Sequence, residues 1–457
     1  MSTEAVRAGG PAGAGGPGGG PGDGPRGAEG AVVDHDYPVT PVPAHARKSL
    51  FSLAVVLLGF TVFTPTMLAG AELGNAFPLA DLLWVILLGS LILGAYVAVL
   101  GWIGARTGLT TVVMARYTLG TSGSRFASLL LGGTQIGWYG VIIGTIGALT
   151  AQAFGWESYA AEAAVMIAAS VLMCVTACYG YRGMYWVSLI STPLILVLAV
   201  WVVHRSLQEV GGWSGLADVD PDGSMTLAVA VTTVVGTFVS AGTQTPNWTR
   251  FARHGWHAVL ACCIGFLVGN GLMIFFGAVG AMTFGEGDFV LVLYQLGLVG
   301  WGLFLLFGNL WKSNADTAYA FGVAGAAMFD KPSKIPFVVG GSVIGTVLAL
   351  AGMHEHLVDY LVLLGIFVPP LGGVIIGDYL ARWRRGMPEG ARLPSYDVPV
   401  LACYVVASAL AWGSDHLEIG IPPLVGILVA AALAYVVGRV RPGTAVGAGE
   451  TSVTSAR

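Results

Sequence analysis

The chain has 457 residues, of which 21 are Lys or Arg and 25 are Asp or Glu, so that only 10 % are charged; soluble chains carry about 25 %. The hydrophobic fraction is 55 % and the mean hydropathy is +0.76. This composition excludes a cytosolic enzyme, a disordered protein and a nucleic-acid binder, which needs a basic face. The five Cys all lie in apolar stretches and show neither a disulfide framework nor a metal-site spacing. The composition therefore predicts a polytopic membrane protein.

Residues 1–40 are rich in Gly, Pro and Ala and contain no apolar run, which a signal peptide would need. Residues 442–457 are similar. Both segments are predicted to be disordered cytoplasmic tails that flank one membrane domain, residues 41–441.

The membrane domain divides into twelve apolar stretches of about 20 residues, each long enough to cross a bilayer as a helix. The runs are continuous and do not alternate, so strands are not expected. The predicted spans are 49–73, 80–103, 127–154, 160–180, 184–203, 225–247, 258–283, 291–322, 335–352, 357–380, 396–413 and 420–438.

The basic residues between these spans predict the orientation of the chain. With one exception, Arg205, the basic residues that flank the spans fall on one side, which the positive-inside rule assigns to the cytoplasm. They are Arg47, Lys48, Arg106, Arg116, Arg125, Arg182, Arg250, Arg253, Lys331, Lys334, Arg382, Arg384, Arg385, Arg392, Arg439 and Arg441. The opposite loops carry Glu157, Asp218, Asp220, Asp222, Glu286, Asp288, Asp415 and Glu418. We therefore expect a multi-pass protein of the plasma (inner) membrane with both termini in the cytoplasm.

Spans 1 and 6 are interrupted in corresponding ways. Thr64, Pro65 and Gly70 interrupt span 1, and Gly242 and Pro246 interrupt span 6, about 175 to 180 positions later. Because each copy has five spans, an odd number, the second copy enters the membrane upside down. The pattern predicts inverted repeats over about 49–204 and 225–381 and extra helices over about 396–438; broken helices of this kind locate a transporter's binding site near the bilayer midplane. The alternative is that Pro and Gly are simply common in membrane helices.

Two acidic residues and one lysine are candidates for function inside the spans. Lys312 and Asp316 are four residues apart in span 8, so that they share one helix face and could pair. A buried ammonium is costly without a partner, which makes Lys312 a functional candidate, or else half of a structural ion pair. Glu72 lies near the outer end of span 1, where a wetted residue at the outer mouth is the simpler interpretation.

Spans 3 and 6 carry aromatic and polar residues at helical spacing. Gln135 and Trp138 are three residues apart and face the same way in span 3, and span 6 offers Thr237, Phe238 and Ser240 at its break. A π-face from each of two helices, together with an amide and hydroxyls, suits a flat polar heterocycle. The alternative is that the aromatic residues only pack.

Several stretches resemble the nucleobase:cation symporter-1 (purine–cytosine permease) family, and most of all its bacterial cytosine permeases. The similarity runs from about Pro41 to about Arg385. The stretches that carry it are Pro41–Pro43 with Ala46–Lys48, Gly104–Thr111, Leu131–Trp138, Phe238–Thr243 and Pro369–Tyr379.

The resemblance implies an all-α LeuT-type fold, a five-plus-five inverted repeat with two extra C-terminal helices and twelve transmembrane helices in all. It implies a substrate site in which Trp138 and Phe238 sandwich the base. Gln135, Ser240 and Asn309 are expected to hydrogen-bond the base, and Gly242 and its neighbours to supply unwound backbone. The implied substrate-binding residues are Gln135, Trp138, Thr237, Phe238, Ser240, Gly242 and Asn309.

The same resemblance implies a cation site between span 1 and span 8. Its residues, with those expected to take part in coupling, are Gly59, Val62, Asn309, Lys312, Ser313 and Asp316. Sodium-coupled relatives have two hydroxyl residues where this chain has Lys312 and Ser313. Because a protonated lysine cannot donate a lone pair, we expect Lys312 to replace sodium and uptake to be proton-coupled or independent of sodium.

The expected function is therefore import of cytosine by alternating access. The alternative is a sodium-coupled symporter of another nucleobase or related ring, such as uracil, a purine, hydantoin or allantoin. An enzyme is disfavoured because the spans lack paired catalytic groups, and a channel would not accumulate its substrate. No cofactor beyond a coupling ion, H⁺ or Na⁺, is expected, no metal site is assigned, and the expected partners are the nucleobase and the lipid bilayer, with no nucleic acid and no obligate protein partner.

Overall fold

A computed structural model gives the structure of the protein. It describes residues 40–179, 182–221, 225–286, 289–329, 331, 333–388, 391 and 393–441, without the side chains of residues 179, 182–192, 289, 305, 312 and 327. Across these ranges the chain is helical and contains no strand; an isolated β-bridge joins Lys48 to Ala252.

Each of the twelve predicted spans coincides with a helix or with a pair of helices. Within the described ranges, seven continuous helices are long and apolar enough to cross a membrane, and the bent pair of span 1 makes an eighth. In chain order the spans are Leu50–Thr61 with Pro65–Ala76, Leu79–Thr107, Ser124–Ala153, Tyr159–Tyr179, Arg182–Glu209, Leu227–Thr243 with Pro246–Thr249, Gly255–Phe284, Val299–Met328, Ile335–Leu350, Met353–Trp383, Val398–His416 and Pro422–Val440. One short helix, Ala44–Ala46, precedes span 1, and others lie between the spans at Thr111–Leu119, Trp213–Ala217 and Phe289–Gln295.

Span 1 is broken where the sequence predicts it. The first half ends at Thr61, the second begins at Pro65, and their axes differ by 61°. The first N–H group of a helix has no partner within the helix, so a proline at this position removes no hydrogen bond. Pro65 can therefore begin the second half of span 1.

The break in span 6 lies between Gly242 and Pro246, as predicted, but Gly242 itself remains helical. The helix continues through Gly242 to Thr243, and a turn at Gln244 and Thr245 precedes the short helix that begins at Pro246. Pro246 cannot donate to the carbonyl of residue 242, and its ring disfavours a helical conformation at the preceding residue, so the helix ends just before it. Gly242 therefore does not supply unwound backbone. A Cβ at this position would lie 2.5 Å from Val97 Cγ2, so glycine is needed for close packing against span 2.

Span 8 also begins later than predicted. The apolar run that starts at residue 291 first forms the short helix Phe289–Gln295, and a turn at Gly297, whose φ is 75°, separates it from the helix that begins at Val299. The apolar run continues from the first helix into the second, so hydropathy does not show the boundary between them. The left-handed backbone of Gly297 ends the first helix.

Eight of the first ten spans form two groups that pack closely within themselves. Spans 1, 2, 6 and 7 make one group, which we call the bundle, and spans 3, 4, 8 and 9 make the other, which we call the scaffold. In the bundle, span 1 packs on span 7 as span 2 packs on span 6; in the scaffold, span 3 packs on span 9 as span 8 packs on span 4. Adding or subtracting five converts each pair into the other, as expected of two five-helix repeats.

Small residues bring two bundle helices into backbone contact. A Cβ at Gly70 would lie 2.0 Å from the carbonyl oxygen of Ile274, and one at Gly277 would lie 2.0 Å from that of Met67. Gly74, one turn beyond Gly70, also faces span 7. This small-xxx-small pattern is how membrane helices approach closely, and it fixes the second half of span 1 to span 7.

The two C-terminal helices pack on span 10 and on each other. An ionic network stabilises the end of span 10: Arg382 Nε donates to Asp378 Oδ1, and Arg382 Nη1 donates to Asp397 Oδ2 at 2.8 Å. Trp383 Nε1 donates to the second oxygen of Asp378 at 3.1 Å. The carboxylate of Asp378 is wholly buried. A buried charge needs an ionic partner and hydrogen bonds, and Arg382 and Trp383 supply them.

Candidate functional site

Asn309 of span 8 hydrogen-bonds the broken segment of span 1. Its Oδ1 accepts from Thr64 Oγ1 at 2.8 Å and from Thr64 N at 3.3 Å, and its Nδ2 donates to the carbonyl of Val62 at 3.3 Å. Asn309 is 4 % exposed. Backbone groups freed by a broken membrane helix need partners, and one amide side chain of the scaffold supplies three hydrogen bonds to this break.

Three aromatic rings from spans 1, 3 and 6 lie next to the break. The ring of Phe63 contacts the rings of Trp138 and Phe238 edge-on, with centroids 5.7 Å and 6.1 Å away. Tyr360 of span 10 also contacts Trp138 edge-on, and Phe60 contacts Phe238 edge-on. Trp138 and Phe238 are thus both held in place by other aromatic rings, and Phe63 lies in contact with both.

Polar side chains join spans 3 and 6 at the same site. Ser240 Oγ accepts from Gln135 Nε2 at 3.2 Å and shares a short hydrogen bond with Thr134 Oγ1. The hydroxyl of Tyr360 donates to the carbonyl of Thr134 at 2.5 Å. Ser240 is buried, whereas Gln135 is half-buried. The amide oxygen of Gln135 has no hydrogen-bond partner within the described ranges.

Thr237 points toward span 7 and not toward the aromatic rings. Its hydroxyl donates to the carbonyl of Val234 at 2.7 Å and to Asn270 Oδ1 at 3.2 Å. The structure therefore brings Gln135, Ser240 and Trp138 together, and gives Thr237 a contact within the bundle.

The residues expected at the cation site lie along the facing parts of spans 1 and 8. The carbonyl of Val62 accepts from Asn309, and the open space around Gly59 would admit a Cβ with no atom within 4 Å. On span 8 the carbonyl of Ser313 accepts from Thr317 Oγ1 at 2.8 Å, and Asp316 is half-buried.

The expected pairing of Lys312 with Asp316 lies outside the described residues, because the side chain of Lys312 is not among them. Glu72 is exposed, as a residue at the mouth of a transport path would be. In the part of the chain that the structure describes, no group of three His, Cys, Asp or Glu side chains could hold a metal ion.

Phe63, Tyr360 and Thr134 are site residues that the sequence reasoning missed. Phe63 could have been found from the sequence, because it is the aromatic residue inside the interruption between Thr61 and Pro65. Thr134 precedes Gln135 directly. Tyr360 carries no local signal, since its contact with span 3 depends on how span 10 packs.

The chain matches known permeases over nearly all of its membrane domain. A family profile described as "Permease for cytosine/purines, uracil, thiamine, allantoin" matches residues 41–438. The chain is 38 % identical over 405 residues to the cytosine permease of Escherichia coli (strain K12), covering 88 % of this chain and 94 % of that protein, and matches the cytosine permease of E. coli O157:H7 to the same extent.

Solved transporter structures share the fold. The inward-facing conformation of Mhp1 superposes with a TM-score of 0.75 at 17 % identity, covering 88 % of this chain and 93 % of that one. A closed conformation of Mhp1, a nucleobase-cation-symport-1 family transporter with bromovinylhydantoin bound, gives 0.72 at 18 % identity, covering 88 % and 95 %.

These matches confirm the predicted LeuT-type helical fold and the prediction of a multi-pass transporter rather than an enzyme. The chain belongs to the family of permeases for cytosine/purines, uracil, thiamine and allantoin.

Proposed function

We propose that the protein imports cytosine by alternating access, with the base bound between spans 1, 3, 6 and 8. The observation that carries the proposal is the hydrogen bond from Gln135 to Ser240, which lies beside the rings of Trp138 and Phe238. The identity to cytosine permeases over 94 % of their length supports the same substrate.

The chemistry of these side chains suits a cytosine ring. Stacking a base on an aromatic side chain contributes about 1–3 kcal/mol per base, and Trp138 and Phe238 provide two such faces. The amide of Gln135 presents an acceptor and donors side by side, which complements the N4 amino donor and the neighbouring ring-nitrogen acceptor of cytosine. Because Ser240 already accepts from Gln135, the amide is oriented before substrate arrives.

A second candidate is transport of another flat ring with a similar polar edge. One neighbour of the same fold holds bromovinylhydantoin, and the family profile names uracil, purines and allantoin. Phe238 offers a smaller face than an indole, which favours a single-ring pyrimidine. Competition of labelled cytosine uptake by uracil, adenine, hydantoin and allantoin separates the two candidates.

We further propose that Lys312 takes the place of the coupling sodium ion, so that uptake is driven by protons or is independent of sodium. Span 8 places Lys312 one helical turn from Asn309, and Asn309 binds the broken segment of span 1. An ammonium at this level of span 8 can supply the positive charge that a bound cation would otherwise supply.

Uptake of radiolabelled cytosine into proteoliposomes tests both proposals, with sodium and proton gradients imposed separately. We expect saturable accumulation that follows the proton gradient at constant sodium. A Lys312→Thr variant is expected to gain sodium dependence. Uptake by the unchanged protein that requires sodium at fixed pH would refute the role of Lys312, while cytosine that neither enters nor competes would refute the substrate.

The orientation of the chain follows from the positive-inside rule: both termini in the cytoplasm and the protein in the plasma (inner) membrane. Protease protection of tags placed at each terminus in right-side-out and inverted vesicles tests it. Tags cleaved only in inverted vesicles are the expected result.

A further inference from the structure

A polar cavity lies at the beginning of span 3, far along that helix from the aromatic site. Its volume is about 280 Å³, which exceeds the roughly 30 Å³ that one water molecule occupies in the liquid. Two arginines and four hydroxyl residues line it, and among the described residues no Asp or Glu does: Arg116, Thr121, Ser122, Ser124, Arg125 and Ser128. The cavity is therefore electropositive.

The two arginines come from different helices and converge on the cavity. Arg116 lies in the last turn of the short helix Thr111–Leu119, and Arg125 lies in the first turn of span 3. No described carboxylate forms an ion pair with Arg116. Guanidinium groups bind phosphate oxygens through charge-assisted, often bidentate hydrogen bonds, so this arrangement favours a phosphate-class anion.

Two hydroxyls add donors that the protein itself does not use. Ser128 is only 4 % exposed, lines the cavity, and has no hydrogen-bond partner among the residues described. Ser122 Oγ accepts from Ser395 Oγ at 2.9 Å, which leaves its own proton for a ligand. Ser128 Oγ borders the cavity, so its proton is available to an anion bound there.

The turn that forms the cavity is fixed by the segment after span 10. The backbone N–H groups of Thr121 and Ser122 donate to the carbonyls of Pro394 and Ser395 at 2.9 Å and 2.8 Å. The first backbone N–H groups of span 3 donate to carbonyls within the turn. This 30-residue helix therefore offers an anion in the cavity the positive end of its dipole, but no free backbone N–H groups.

The position of the cavity identifies the source of the anion as a lipid. Leu129, one turn along span 3 from Arg125, has 57 % of its surface exposed, so an apolar side chain directed outward lies beside the basic group. Both arginines lie on the side that the positive-inside rule assigns to the cytoplasm. Basic pockets beside membrane helices on that side bind anionic lipid headgroups.

We propose that this cavity binds the phosphate group of an anionic phospholipid, with an acyl chain lying along Leu129. Arg116 and Arg125 neutralise the phosphate, and Ser122 and Ser128 donate hydrogen bonds to it. The proposal is independent of the transported substrate.

Native mass spectrometry of the full-length protein tests the proposal, after delipidation and titration with phosphatidylglycerol, phosphatidylcholine or inorganic phosphate. We expect phosphatidylglycerol to bind about tenfold or more tightly than phosphatidylcholine. Since each basic residue near a membrane surface contributes about a factor of five, Arg116→Gln with Arg125→Gln should weaken binding about 25-fold. Arg385→Gln, which removes an exposed charge on the same side, is the matched control and should change binding less than twofold.

Thermal unfolding of each variant shows whether the fold is kept. If the double variant does not fold, Ser128→Ala carries the test, because it removes only a hydroxyl without a protein partner, and a threefold or greater loss of phosphatidylglycerol binding is expected. The proposal would be overturned if the unchanged protein bound phosphatidylglycerol and phosphatidylcholine equally. It would also be overturned if Arg385→Gln weakened phosphatidylglycerol binding as much as the double variant does. Displacement of the lipid by inorganic phosphate at comparable concentration would show that the cavity serves the free anion and would overturn the assignment to a lipid.

Discussion

Replacing Asn309 by leucine tests whether this residue stabilises the break in span 1. Leucine keeps the branched shape and the number of heavy atoms of asparagine, but the three hydrogen bonds to Val62 and Thr64 are lost. A hydrogen bond within a membrane protein averages about 0.6 kcal/mol and one in a soluble protein about 1 kcal/mol. Three bonds therefore give about 2–3 kcal/mol, and the unpaired Val62 carbonyl makes the upper end the better expectation.

Asn314→Leu is the matched control on the same helix. Asn314 is wholly buried, but its Nδ2 contacts only the sulfur of Met173, at 3.2 Å, and its Oδ1 is unsatisfied within the described chain. Replacing a poorly satisfied buried amide by an apolar group is near neutral or stabilising.

The assay is reversible unfolding of both variants in the same mixed micelles, followed by binding of labelled cytosine. We expect Asn309→Leu to lose about 2–3 kcal/mol and Asn314→Leu to lose less than about 1 kcal/mol. Equal losses in the two variants would refute the reasoning, because they would show that the hydrogen bonds to the break contribute no more than a weak contact with sulfur.

Three further perturbations have defined outcomes. Trp138→Ala should raise the KM for uptake about 10-fold to 100-fold, as expected for lost base stacking. Trp138→Phe, which keeps an aromatic ring, should retain most of the affinity. If the two variants have the same KM, Trp138 has no stacking role. Gly70→Ala should lower the unfolding temperature by several degrees, because the new methyl meets the backbone of span 7, whereas Gly340→Ala, which meets no atom within 4 Å, should not. Arg382→Met should cost about 3–5 kcal/mol by leaving two buried carboxylates without their cationic partner, and the same change at the exposed Arg384 should cost little in the same unfolding measurement.

Composition and hydropathy predict much of this fold because a bilayer leaves few alternatives: a spanning segment must be helical and about 20 residues long. The pairing of the breaks in spans 1 and 6 adds the repeat. What hydropathy does not resolve is where one apolar run contains two helices. Phe289–Gln295 and the first turns of the helix from Val299 are both apolar, and the left-handed backbone of Gly297 lies between them.

The candidate site was predictable in its residue types and less so in its contacts. Gln135, Trp138 and Ser240 are polar or aromatic residues next to an interruption, a pattern that sequence displays directly. Whether Asn309 faces the substrate or the broken helix depends on the tertiary position of span 8, and the structure gives its amide three partners in span 1. Gly242 illustrates the opposite error, because a glycine near a proline predicts unwinding, while here it serves close packing against Val97.

The hydrogen bonds from Asn309 to span 1 and from Gln135 to Ser240 have a joint consequence. Each links a scaffold helix to a broken bundle helix, so a rigid movement of one group against the other must release both sets of bonds together. They act as a latch. If the Asn309 bonds alone contribute about 2–3 kcal/mol, they favour the latched arrangement roughly 30-fold to 150-fold. A ligand shifts this equilibrium toward the open arrangement only by the difference between its affinities for the two arrangements.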